Sequence, residues 1–95
     1  MIEYIYDVIR ASSGQPMTIA ATLTKEDNTP ITTPCELHIF NDEEMIISAP
    51  GAYLGEGVWQ FEVAAELTEG RKGKHWYCIG NEGVSLCFRK PLYLV

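Results

Sequence analysis

Gly57-Val58-Trp59-Gln60-Phe61-Glu62-Val63 alternates apolar and polar side chains with a period of two. Successive side chains of a β-strand point to opposite faces, so this pattern predicts a strand with Trp59, Phe61 and Val63 buried and Gln60 and Glu62 in water. The alternation continues through Ala65 and Leu67, and the strand is expected to run that far. A basic corner follows, Glu69-Gly70-Arg71-Lys72-Gly73-Lys74, and then His75-Trp76-Tyr77-Cys78-Ile79, Gly80-Asn81-Glu82-Gly83 and Val84-Ser85-Leu86-Cys87-Phe88. Two aromatic and β-branched runs around a turn with two glycines predict a β-hairpin. Its expected register sets Ile79 opposite Val84, with Tyr77, Ile79, Leu86 and Phe88 facing inward and Trp76 outward.

Working back from this region, Met17 to Thr24 gives the clearest strand of the first half. Met17, Ile19, Ala21 and Leu23 share one face and threonines dominate the other, which is the antiparallel signature of a sheet buried on one side. Cys35, Leu37 and Ile39 form an inward set over residues 35–40. Met45-Ile46-Ile47-Ser48 reads as a short strand ended by Ala49-Pro50-Gly51, and 52–57 as a loop that packs Tyr53 or Leu54 down. Residues 2–9 fit either a strand or a helical stripe, and their β-branched and aromatic content favours a strand. Ile31-Thr32-Thr33 is at most an edge piece before Pro34, and Pro91 places Leu92-Tyr93-Leu94-Val95 at an edge or bulge. About seven strands and no helix predict a single all-β domain over residues 1–95, an antiparallel β-sandwich whose strand count and spacing suit an immunoglobulin-like topology.

Composition narrows the function classes. Ninety-five residues with 46% hydrophobic and 21% charged side chains describe an ordinary globular chain, within the usual domain size. Seven basic against thirteen acidic residues give a formal charge of −6. Nucleic-acid binding needs a positive surface that neutralises phosphates, and an anionic membrane surface makes the same demand, so neither partner is expected. Met1-Ile2-Glu3-Tyr4 lacks the basic start and apolar run of a secretory signal, and no apolar stretch approaches the roughly 20 residues that span a bilayer. Three cysteines form an odd set, which points to reduced thiols and a cytoplasmic setting, or a particle assembled there.

The Pro16-to-Leu23 strand, the polar turn ending in Pro30-Ile31, the Gly57-to-Val63 strand and the closing Pro91-Leu92-Tyr93-Leu94-Val95 together carry a resemblance. The chain resembles the small immunoglobulin-like domains of tailed-phage structural proteins and bacterial surface repeats. It departs from antibody-type domains: the Met17–Thr24 strand has no cysteine, and Tyr77 directly precedes Cys78 where a tyrosine corner needs a two-residue offset. The resemblance implies a non-enzymatic virion component, a capsid decoration or tail-associated protein assembled in the host cytoplasm. Such a module binds a larger protein lattice, with homo-oligomers open, and uses no cofactor.

The residues themselves offer several chemistries. Cys35-Glu-Leu-His38 and His75-Trp-Tyr-Cys78 have zinc-like spacing, but residues three apart in a strand face opposite ways, so no metal site is expected. In the register above, Cys78 and Cys87 lie diagonally, beyond ordinary disulfide reach unless a bulge shifts the register, so the sequence leaves open whether they are bonded. Nucleophilic catalysis needs a base and an orienting group beside the nucleophile, and no motif supplies them, so no catalytic residue is assigned. Binding is the remaining class. An outward Trp76, Tyr93 on the last strand and the basic pair Arg71 and Lys72 are the expected contact residues for a protein partner. The alternative is a carbohydrate-binding module that stacks sugars on exposed aromatics.

Overall fold

The computed structural model describes residues 2–5, 8–82, 84–86 and 89–95, with side chains described from residue 8 onward. Among these residues nine strands and one short helix form, an all-β architecture. The strands are β1 (Ile2–Ile5), β2 (Val8–Ala11), β3 (Met17–Thr22), β4 (Cys35–Asn41), β5 (Glu44–Gly55), β6 (Val58–Val63), β7 (Gly73–Asn81), β8 (Val84–Ser85) and β9 (Lys90–Leu94). Helix α1 (Ala65–Thr68) links β6 to β7. Hydrogen-bonded neighbours run in the order β1-β2-β9-β7-β4-β5-β6-β3, with β8 beside β7. All pairings are antiparallel except β2 with β9, which run parallel.

Strand β5 organises the whole. Its first part pairs with β4 through Glu36↔Pro50, and its second part pairs with β6 from Gly51↔Phe61 onward. One strand therefore carries the sheet from a larger group (β1, β2, β9, β7, β4) to a smaller one (β6, β3), and the sheet folds over on itself. Pro50 sits where β5 changes partners, the place in a ladder where a missing N–H costs least. The breakers at 49–51 were expected to end a strand; they mark its crossing point, and residues 52–55 are strand rather than loop. Of the two residues expected to pack down, Leu54 is exposed, whereas the Tyr53 ring lies 5.2 Å from Trp59 and its hydroxyl accepts the Gly57 N–H at 3.1 Å.

Between the folded halves lies a core in which Ile9, Leu37, Ile39, Phe61, Val63, Leu92 and Leu94 are fully enclosed. The alternation read from the sequence accounts for it: Met17, Ile19 and Cys35 also point in, as do Trp59, Phe61 and Val63. Trp59 anchors the connection after β3 through its Nε1, which donates to the Ile31 carbonyl at 2.7 Å. Ile31 is thus buried without being in a strand.

Several local expectations are corrected. The stretch 2–9 is not one strand: β1 and β2 pair antiparallel, with Ile2 opposite Ala11. After Val63 the chain leaves the sheet. Ala, Glu and Leu favour a helical turn there, so Leu67 is exposed and Thr68 is the buried residue, at 0% exposure. Thr68 Oγ1 accepts the Gly14 N–H at 3.0 Å and its carbonyl accepts the Ser13 hydroxyl at 2.6 Å, pinning α1 beneath the turn before β3. The terminal hairpin is also tighter than expected. Asn81, not Ile79, stands opposite Val84, and Glu82 adopts a left-handed φ of 51° at the turn. Leu86 is largely exposed rather than inward. The expectations for Cys87, including its relation to Cys78, and for Phe88 fall outside the described residues.

Candidate functional site

The larger strand group turns one face to the core and the other outward, and the outward face collects the chemistry. Register sorts it into two transverse rows. In one, Pro91 on β9, Trp76 on β7, Phe40 on β4 and Met45 on β5 stand side by side. In the other, Arg10 on β2, Tyr93 on β9 and Lys74 on β7 are neighbours, with Glu3 on β1 next in register beyond Arg10. Tyr93 is 37% and Met45 49% exposed.

Cations lie over the rings of this face. Lys74 Nζ sits 4.5 Å from the Trp76 ring centroid, and Arg89 Cζ sits 3.7 Å from that of Phe40. Such contacts contribute roughly 0.5–1 kcal/mol at exposed sites. Arg89 also donates to the Asp42 carbonyl at 3.3 Å, bridging β9 to the β4–β5 turn. Asp42, Glu43, Trp76 and Arg89 border an open hollow of about 360 Å³. The face is therefore cationic and aromatic across β2, β9 and β7, with carboxylates at its β4–β5 margin.

A second concavity of about 440 Å³ lies where the folded sheet fails to close, between β3 and the β2–β7 side. Ile9, Ile19, Ile31, Tyr77 and Ile79 floor it, and Lys90 stands at its rim. Among the described residues strand β3 pairs with β6 alone and is the last strand of the order.

Of the expected contact residues, Trp76 and Tyr93 do share the outward face, joined through Lys74. Trp76 is half-buried, with an ammonium already over its ring. Arg71 and Lys72 precede β7 and stand in neither row. Arg71 is turned back onto α1, its Nε donating to the Leu67 carbonyl at 3.3 Å, while Lys72 is exposed. The sequence reading missed Arg10, Arg89, Phe40 and Met45 as members of this face. Lys74 was legible, because it shares parity with Trp76 along one strand.

The zinc-like quartet is divided. His38 and Cys78 are register partners on the outward side, whereas His75 pairs with Leu92 and is 4% exposed, its Nδ1 3.1 Å from the Gly73 carbonyl. Cys35 lies at the core end of β4, where Asn81 Nδ2 approaches its sulfur at 3.5 Å. Burial pushes the Cys35 thiol pKa up, Asn81 opposes this, and the charges of Glu36 and Glu82 add to the rise. Among the described residues no three His, Cys, Asp or Glu side chains converge as a metal site would require. No helix among them is long and apolar enough to cross a membrane.

Comparison with known proteins adds a fold likeness. No family model matches the chain, and no curated protein does. A solved structure of a Bacteroides vulgatus ATCC 8482 protein, described as a glycoside hydrolase, is similar over 90% of this chain, with a TM-score of 0.55 and 10% identity. The chain spans 16% of that protein's length. At this identity the likeness concerns the fold alone.

Proposed function

We propose that this chain is a non-enzymatic, immunoglobulin-like structural module of a phage particle, a capsid decoration or tail-associated protein that docks onto a protein lattice. The strand order supports the immunoglobulin-like part. In this reading β3, β6 and the end of β5 are one layer of a sandwich and the start of β5 with β4, β7 and β9 the other, a division that the strand order allows, with a helical turn between β6 and β7. The likeness of pattern in the Pro16–Leu23, Gly57–Val63 and Pro91–Val95 segments supports the phage part. The observation that carries the docking role is the outward face itself. An apolar row, Pro91–Trp76–Phe40–Met45, runs beside a cationic row, Arg10–Tyr93–Lys74, in a chain whose formal net charge is −6. Contact surfaces combine such aromatic and arginine groups with a polar rim.

The second reading, a carbohydrate-binding module, draws on the Asp42–Glu43–Trp76–Arg89 hollow, where carboxylates stand beside an indole. It is the weaker of the two because Lys74 already lies over the Trp76 ring, the surface a sugar would stack on. Co-sedimentation separates them. The wild-type chain is expected in the particle fraction of cells expressing it, and the Trp76→Ala variant, equally folded, in the soluble fraction. Equal distribution of both, or glycan-array binding competed by free sugar, refutes the docking role.

A further inference from the structure

The strand order ends at β3 on one side and at β1 on the other, and the cleft of about 440 Å³ lies where the sheet fails to close. Its β3 border carries what a further strand needs. Leu23 donates its N–H to the carbonyl of Gly57, so along β3 the N–H groups of Met17, Ile19 and Ala21 turn to β6 and those of Thr18, Ala20 and Thr22 turn away from it. No charge and no proline occurs from Met17 to Thr24, although natural edge strands are commonly guarded by one or the other. Ile9, Ile19, Ile31 and Ile79 line the cleft and make it apolar.

The strand that fits is β1, in a second position. β2 and β9 run parallel with Ile9 beside Leu92, so a chain continued straight two residues back from Ile9 comes level with Lys90, which lines the cleft. One parallel and five antiparallel pairings separate β2 from β3, so the two run in opposite senses, as an added antiparallel strand requires. In the structure β1 instead folds back on β2 through four register pairs and, among the described residues, rests on that strand alone. A two-stranded ribbon of this size is marginal in water. Ile5 stands opposite Val8, which leaves only Tyr6 and Asp7 between the strands, where a two-residue connection favours Asn-Gly or a leading glycine. We propose that β1 is a strap with two seats, one on β2 and one along the Ala20–Thr24 border of the cleft, where Ile2 and Tyr4 enter the cavity and Glu3 faces water. Its tether favours it over any free strand, because a short linker holds a segment at an effective concentration in the millimolar range. Changing seat takes the acidic position 3 away from Arg10, its register partner, so the strap sets the charge at one margin of the outward face.

Amide solvent exchange of the whole chain, read residue by residue by NMR, tests the second seat. Tyr6→Asn/Asp7→Gly supplies the favoured connection and holds β1 on β2, while Tyr4→Asp makes the cleft seat costly without touching that connection. In both variants the Ala20 and Thr22 amides should exchange about threefold faster than in wild type or more, the change expected when the seat on β3 is filled about two-thirds of the time. The Ile19 and Ala21 amides, which turn to β6, should keep their wild-type rates, and this shows that the variants are folded. Ala20 and Thr22 rates that are equal in wild type and either variant overturn the proposal. So do wild-type rates that slow as protein concentration rises, because the strand on β3 then comes from a second copy.

Discussion

Gly51→Ala tests the crossing of β5 directly. A Cβ on Gly51 would stand 2.7 Å from Phe61 Cε1, 2.9 Å from Trp59 Cε3 and 3.1 Å from the Cys35 carbonyl oxygen. None of the three can yield easily. Phe61 is fully buried, Trp59 is held by its bond to Ile31, and the third atom is backbone of the paired strand. Overpacking of this kind costs about 1–3 kcal/mol, and three immovable neighbours place the cost near the upper end. The loss of glycine freedom in the unfolded chain returns about 0.4–1 kcal/mol, leaving a net destabilisation of about 2 kcal/mol. In urea, followed by tryptophan fluorescence, the midpoint should fall by about 1 M with an unchanged slope. Melting should come about 8–16 °C earlier. In a Phe61→Leu background the same substitution should cost less, because the nearest of the three obstructing groups is gone, giving a measurable coupling energy. Equal stability of Gly51→Ala and wild type, or the same cost in both backgrounds, would refute the close crossing.

Two further outcomes follow from buried polar groups. Thr68→Val keeps the shape but removes the acceptor of the Gly14 N–H and the hydroxyl that reaches Ala65, so stability should fall by about 1–2 kcal/mol in the same urea assay. A change within a few tenths would show that α1 is not pinned by this residue. The Cys35 thiol has its pKa raised by burial, so the folded chain holds that proton more tightly than the unfolded chain. Stability should therefore be intact below the ordinary thiol range and decline as pH rises through it, from about 8.5 upward. The difference between wild type and Cys35→Ala isolates this slope, and parallel pH profiles for the two would dismiss it.

Much of the core was legible because burial on one side writes itself as alternation. Met17 to Thr22 and Val58 to Val63 were placed with the correct faces, and Trp76 was turned outward by parity with its neighbours. Reading failed where two physical rules compete. Ala49-Pro50-Gly51 breaks a strand inside a sheet, yet the same residues suit a strand changing partners, and only the tertiary neighbours of Gly51 decide. The terminal hairpin carries glycines at 80 and 83, so two turn positions fit the sequence, and apolar residues on both faces leave the register open. Ala65 and Leu67 continued the period of two, but α1 needs only four residues, too few for a helical period to emerge. The outward face was half legible. Lys74 and Trp76 follow from one strand's parity, whereas Arg10 joins Tyr93 through a parallel pairing across more than eighty residues that no local pattern records.

That parallel pairing also has a mechanical side. Ile9, Arg10 and Ala11 run alongside Leu92, Tyr93 and Leu94 in the same direction. Val95 and the chain just after β2 extend the contact, with bonds from Val95 N–H to Ala11 and from Ser13 N–H to Val95 at 3.0 and 2.9 Å. A pull on the N-terminal side of β2 against Val95 acts along both strands in opposite senses. The cross-strand bonds then bear the tension together instead of parting one after another as in an unzipped hairpin. The fold thus contains a shear clasp, able to hold a strained connection in which a domain of equal thermodynamic stability, tugged across its strands, would give way.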